Sequence, residues 1–237
     1  MNSASISMEQ LVLLPGNPQI SVVLRRSKRS RRMSLRISRI KGLVTLSLPI
    51  SCPIAQAKCF LMEKESWIRK NLVALPKNTP VCAGSQLLYK GEKFNIRMGD
   101  GKKVMQVGSV LTVPGPQSVI ASRAKVFLKF QARQALSAAT DHYAEALGRS
   151  YGKLTLRDTI SRWGSCSTRG NISYSWRLIM APPDVLDYVC AHEVAHLVEM
   201  NHSANFWSVV EQLFPNYDHQ RTWLKVHGEV LHSYQFK

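Results

Sequence analysis

The sequence predicts an α+β protein, and three observations carry that expectation. In three stretches between Ile20 and Leu48 apolar residues recur at every second position, the period of a strand with one buried face. From Ser118 onward, apolar and alanine residues recur at helical spacing. Pro114-Gly115-Pro116 stands between the two regimes as the clearest boundary in the chain.

Taken in order, residues 1–17 read as a weakly ordered, flexible lead. Three strands follow, carrying Ile20, Val22 and Leu24, then Met33, Leu35 and Ile37, then Val44, Leu46 and Leu48. Lys41-Gly42 supplies a turn between the last two. Between the first two lies the run 25–32, with six basic residues in eight. Such a run either binds phosphates or forms a solvated hairpin tip that keeps strand edges soluble. No aromatic residue interleaves it, so base stacking has no support there. Residues 55–72 read as a helix, 75–84 as a linker of turn formers, and 87–113 as short strands turning at Lys90-Gly91 and Gly99-Asp100-Gly101. A long helix over 118–147 is ended by Gly148. Strands over 153–158 and 171–180 flank a loop at 161–170. A last helix covers about 218–227, with Gly228 as its stop. The expected division is a lead at 1–17, a strand-rich basic lobe at 18–116 and a second domain at 117–237.

Composition sets bounds on function. A chain of 237 residues with 45% hydrophobic content can bury one good core, or a core plus a smaller lobe. The five cysteines are odd in number and form no C-x-x-C pair, which points to reduced thiols in a cytoplasmic protein. The only early apolar run, 11–14, is too short for a signal peptide, and no stretch approaches a membrane span. The phosphate-loop and dinucleotide fingerprints are absent. A formal charge of +17 fits either a polyanionic partner or a basic, soluble surface.

The chemistry concentrates in Cys190-Ala-His-Glu-Val-Ala-His-Leu-Val-Glu-Met-Asn-His202, which contains H-E-x-x-H. Residues four apart stack on one helix face, so His192 and His196 can hold one ion between two imidazoles. Glu193 lies roughly 100° round the helix from His192, within reach of a water on that ion. Pro182-Pro183-Asp184 starts the helix, since proline and acids favour a first turn. Val185, Val189, His192 and His196 then form one inward stripe, and inward histidines are expensive to bury without a partner. His202 follows six residues after His196 as a third ligand. Asn201 is the expected left-handed exit from the helix, and Ser203 caps the next one. Glu211 and Glu229 are the alternatives for a carboxylate third ligand. This pattern predicts one Zn²⁺ per chain.

Arg162-Trp-Gly-Ser-Cys-Ser167, Trp176-Arg-Leu-Ile179, the H-E-x-x-H helix and Asn201-His-Ser-x-x-Phe206-Trp207 together resemble the YgjP-like metal-dependent hydrolases, relatives of the SprT-like zinc metallopeptidases. The resemblance is dense over 154–228 and looser over the N-terminal strands. It implies a zincin-like catalytic domain with His192, His196 and His202 as ligands and Glu193 as base. Ser175 departs from the asparagine expected there.

The resulting expectation is a zinc metallopeptidase in which Glu193 activates water against a peptide bond. The alternatives are a metal-dependent phosphoanhydride hydrolase acting on a nucleotide, and a basic module that keeps a structural zinc. An intact Glu193 argues against the last, because a closed structural site needs no base. Arg162 and Arg177 are candidates for binding an anionic substrate group, or are structural ion pairs. Trp163 and Trp176 read as core. Cys166 reads as a buried thiol or a resting-state metal ligand. Tyr217, His219 and His227 are candidates for stabilising an oxyanion. The expected partners are a polypeptide or nucleotide substrate and, through the basic lobe, nucleic acid or another polyanion.

Overall fold

The computed structural model describes residues 9–237 apart from Arg39 and Lys41. Helices and strands mix as expected of an α+β chain, and the chain divides into two compact units between Lys77 and Asn78.

The first unit holds β1 (Glu9–Leu14), β2 (Ile20–Arg26), β3 (Ser34–Ile37), β4 (Val44–Leu48), α1 (Ile54–Glu63) and α2 (Glu65–Val73). Its sheet runs β1-β2-β4-β3, with β2 and β4 parallel and the outer pairs antiparallel. Val22, Leu24, Leu46 and Leu48 form one face of it, buried in a cluster with Ala57, Leu61 and Ile68 of the helices. Burial of each large aliphatic chain contributes about 1.5–3 kcal/mol.

Residues 9–14, expected in a flexible lead, form strand β1 instead. Val12 and Leu14 are buried while Leu11 and Leu13 are exposed. Because all four are apolar, the in-out alternation leaves no trace in the residue types. The helix expected over 55–72 is interrupted at Lys64 (φ −92°, ψ 5°), although Lys64 N→Phe60 O and Ile68 N→Lys64 O carry hydrogen bonding past the kink. Half of the expected turn, Lys41, lies outside the described residues. Gly42 beside it has φ 63° and donates to Ser38 O, which closes the β3–β4 hairpin. In the basic run, Arg26 is committed to structure: its guanidinium donates to the carbonyls of Ile50 and Cys52 at 2.5 and 2.8 Å.

The second unit begins with β5 (Thr79–Pro80), β6 (Gln86–Tyr89), β7 (Glu92–Gly99), β8 (Met105–Val107) and β9 (Val110–Pro114). Then come α3 (Gln117–Ala146), β10 (Leu154–Arg157), β11 (Gly164–Cys166), β12 (Ile172–Ser175), a 3₁₀ turn (Trp176–Met180), α4 (Pro183–Ala195), α5 (Ala204–Leu213), α6 (Asp218–Ser233) and β13 (Tyr234–Gln235). One sheet is β6-β7-β9-β8, another β10-β12-β11, and β13 pairs in parallel with β5.

The boundary expected at residue 116 is therefore corrected to 77/78. Leu87, Phe94, Ile96, Leu111 and Val113 of the strands share one core with Ile120, Leu128 and Leu136 of α3 and with α4. Pro114-Gly115-Pro116 is a corner within that core, Gly115 having φ 99°. Helix α3 buries Ile120, Ala124, Leu128, Ala132, Leu136, Thr140 and Ala144, a stripe at four-residue spacing. The β6–β7 hairpin fixes the entry to α4: Lys90 and Gly91 donate to the carbonyls of Ile179 and Met180, and a Cβ on Gly91 would lie 3.0 Å from Pro182. All five cysteines are free thiols. Among the described residues no helix is long and apolar enough to cross a membrane.

Candidate active site

Helix α4 is buried on nearly every side, with Val185, Val189, Cys190, Ala191, Val194 and Ala195 all enclosed. A helix packed so completely cannot roll, so the histidines it carries are fixed in direction. It ends at Ala195, and His196 occupies the C-cap with φ −65° and ψ −12°. The exit uses no left-handed residue. Asn201 instead accepts from Ser203 N at 3.0 Å, which turns the chain so that His202 faces back toward α4. Ser203 then caps α5 by accepting from Phe206 N.

His192, His196 and His202 come together as a result. Their ligand atoms all lie within 4.8 Å of one another, and the Nε2 atoms of His192 and His202 are 3.1 Å apart. Two imidazoles on a tetrahedral zinc, each at about 2.05 Å, would have nitrogens about 3.3 Å apart. His196 Nδ1 donates to the carbonyl of Glu199 at 2.9 Å, which leaves its Nε2 with a free lone pair. Burial, then the neighbouring His196 and His202, push the His192 pKa down to about 3. Burial lowers that of His196 as well. Neutral rings with converging lone pairs are what a divalent ion requires. His192 Nδ1 is buried without a protein partner, so this ring lacks the outer hydrogen bond that His196 has. Glu211 and Glu229 are not members of the cluster.

Phe206, fully buried, stacks on His196 at 4.4 Å and meets the His192 and His202 rings edge-on at 4.9 and 4.8 Å. Trp207 closes the other side at 5.7 and 5.8 Å. Tyr217 stacks in turn on Trp207 and Tyr188. The imidazoles thus sit in an aromatic cage that restricts their rotamers.

Glu193 is buried beside β11. Burial pushes its pKa up to about 8, against the pull of Arg162 and a hydrogen bond from the backbone of Cys166. The carboxylate fits only because residue 164 is glycine: a Cβ there would lie 2.7 Å from Glu193 Cδ. A cleft of about 410 Å³ opens over the three histidines and Glu193, lined also by Arg162, Trp163, Cys166, Tyr188 and Met200.

A family model described as YgjP-like, metallopeptidase domain, matches residues 31–227. The chain belongs to the YgjP-like metallopeptidase family. It is accordingly a metal-dependent, peptidase-like hydrolase. No curated protein matches the chain significantly. Among solved structures, the metallopeptidase zymogen abylysin from Pyrococcus abyssi is 24% identical, over 38% of this chain and 94% of that one, with a TM-score of 0.35.

For this YgjP-like metallopeptidase several sequence expectations need correction. Arg177 does not reach the cleft. It is buried, donates to both oxygens of Asp158 and to the carbonyls of Leu231 and Tyr234, and lies over Trp176. Arg162 does line the cleft. Trp176 is core as expected, whereas Trp163 lines the cleft and packs on His232. Helix α6 does not stop at Gly228 but runs through it. The glycine is there because a Cβ would meet Trp163 at 2.8 Å. Cys166 lies outside the histidine cluster, and burial followed by Glu193 pushes its thiol up to about 11, away from the thiolate a metal needs. Tyr217, His219 and His227 do not line the cleft, but Tyr188 does. Tyr188 stands four residues before His192 on the same face, a spacing that could have identified it. The Oγ of Ser175 is buried without a partner, and nothing in the structure explains it.

Gly164→Ala provides a direct test of the β11 contact. The methyl must displace the Glu193 carboxylate, and with Glu193 as general base a shift of about 1 Å costs on the order of 10²-fold in rate. Metal content should be unchanged. Wild-type turnover in this variant would show that Glu193 has room to spare.

Proposed function

We propose that the protein is a zinc-dependent endo- or exopeptidase whose ligands are His192, His196 and His202 and whose general base is Glu193. The observation that carries this reading is the convergence of three imidazoles beside one buried carboxylate in an open cleft. The donor set fits the ion: three nitrogen ligands and an open side are the pattern of catalytic zinc. Bound by these histidines, the ion would supply Lewis acidity to a scissile carbonyl and acidify the attacking water.

The chain's own residues do the rest. Glu193 takes the water proton on a carboxylate oxygen and later delivers it to the leaving amine. The Cys166 amide and the absence of a side chain at Gly164 hold that carboxylate in place. Phe206 and Trp207 keep the imidazoles from rotating away. The family match supports a polypeptide substrate over a nucleotide, and nothing in the site supports a nucleic-acid partner.

Metal analysis tests the ligand set. The wild type should carry one zinc per chain, and His202→Ala should bind it at least about tenfold more weakly. Equal stoichiometry and affinity in that variant would remove His202 from the site. The zinc-loaded protein should cleave an unfolded polypeptide and leave nucleoside triphosphates intact, with activity abolished by a chelator. The opposite selectivity would sink the peptidase reading.

A further inference from the structure

Two side clefts open off the histidine cleft, and cations wall both of them. One, of about 440 Å³, carries Arg149 and Arg169 and shares His196 and Met200 with the main cleft. The other, of about 570 Å³, carries Lys153, Arg157 and Arg162 and shares Arg162, Ser165 and Cys166 with it. The side clefts meet each other at Ser167. Among the described residues, no aspartate or glutamate lines either of them. Among the described residues, Arg149, Arg169, Lys153 and Arg157 are exposed and form no ion pair, in contrast to Arg177, which Asp158 holds, and to Arg162, whose charge acts on Glu193.

Like charges gathered in concave surface repel one another, and an anionic ligand relieves that repulsion. Arginine forks also match a carboxylate bidentately. No phenylalanine, tyrosine or tryptophan lines either side cleft, so the bases of a single-stranded nucleic acid would find no stacking platform there. An extended peptide advances about 3.3 Å per residue and sends alternate side chains to one face. A short segment can therefore cross the histidine cleft and reach into the flanking ones.

We infer that this metallopeptidase selects acidic polypeptide segments, with aspartate or glutamate side chains near the scissile bond seated against Arg149 and Arg169 or against Lys153 and Arg157. The inference rests on the peptidase reading for its mention of a scissile bond. Its test is a binding measurement that needs no turnover.

Fluorescent decapeptides of acidic, neutral and basic composition, and a single-stranded oligonucleotide matched in charge to the acidic one, are titrated against the zinc-loaded full chain at low and high salt. The acidic peptide should bind about tenfold more tightly than the neutral one, and salt should shrink that advantage. Arg149→Ala/Arg169→Ala and Lys153→Ala/Arg157→Ala should each weaken acidic-peptide binding about fivefold. Lys102→Ala/Lys103→Ala, which removes the same charge from the turn between β7 and β8, should not. Three results would each overturn the inference: equal affinity for acidic and neutral peptides, an equal loss in the Lys102/Lys103 variant, or oligonucleotide binding tighter than that of the acidic peptide. An acidic peptide that binds as expected yet is never cleaved would uphold the selectivity and overturn the peptidase reading alone.

Discussion

Glu193→Gln is expected to keep its zinc and its fold while turnover falls by about 10²–10⁴, the usual contribution of a general base. That loss corresponds to about 3–5 kcal/mol of barrier at ~1.4 kcal/mol per tenfold. The amide is nearly isosteric with the carboxylate, so it satisfies the volume left by Gly164 and retains the contact with the Cys166 backbone. It cannot take a proton from water. Metal content, thermal stability and turnover of the variant, measured together, separate the possible roles. Loss of metal would make Glu193 a ligand or a support for one. Full metal with full activity would move the chemistry elsewhere in the cleft. Burial alone makes this carboxyl weakly acidic in the metal-free protein, and a nearby dication works in the opposite direction by stabilising the ionised form.

Arg177→Met should produce the largest loss of stability among single replacements near the site, about 3 kcal/mol. The guanidinium ties three elements together: Asp158 after β10 at 2.6 Å, Leu231 O in α6 at 2.8 Å, and Tyr234 O in β13 at 3.2 Å. Methionine fills most of the volume between Trp176 and Phe236 but strands two buried carbonyls. Asp158 is partly exposed and can recover water, which keeps the cost below that of a fully buried orphan charge. For a unit of this size the midpoint of thermal unfolding should drop by about 6–12 °C. Acid dependence gives a second readout. Burial raises the Asp158 pKa, but the hydrogen bond and charge of Arg177 outweigh it and hold the group below its ordinary value. Its stabilising contribution is therefore present above the usual carboxylate range and lost as pH falls through the lowered pKa. The variant should have a shallower acid limb. An unchanged midpoint together with an unchanged acid limb would mean that the network holds nothing together.

Local signals in the chain were sufficient for the centre of the site. The i, i+4 spacing of His192 and His196 depends only on helix geometry, and Pro183 with Asp184 marks where that helix begins. Ser203 was legible as a cap for the same reason, since its hydroxyl serves an amide three residues away. The alternation of 44–48 was legible because Thr45 and Ser47 mark its outward positions, and that of 20–24 less so, since only Ser21 does and Val23 is apolar. Where that contrast is missing, as in the apolar run 11–14, a strand is invisible to periodicity.

Long-range packing decided the remainder. No local pattern distinguishes an arginine that lines a cleft from one that clamps a core, and Arg162 and Arg177 differ only in what lies opposite them. Gly164 and Gly228 read as loop and helix-stop signals, yet the reasons for them are the Glu193 carboxylate and the Trp163 ring, which approach from distant parts of the chain. The corner at 114–116 carries every mark of a domain boundary. It is none, because the strands before it and helix α3 after it share one core. The sequence by itself determined the pair His192 and His196, the carboxylate beside them and the helix that carries them, since those relations span one helical turn, and it offered His202 as a third ligand by proximity in the chain. Only the tertiary structure decided how Phe206 and Trp207 cage the imidazoles, which glycine makes room for Glu193, and which cations face the clefts, because each depends on residues that meet only when separate elements pack.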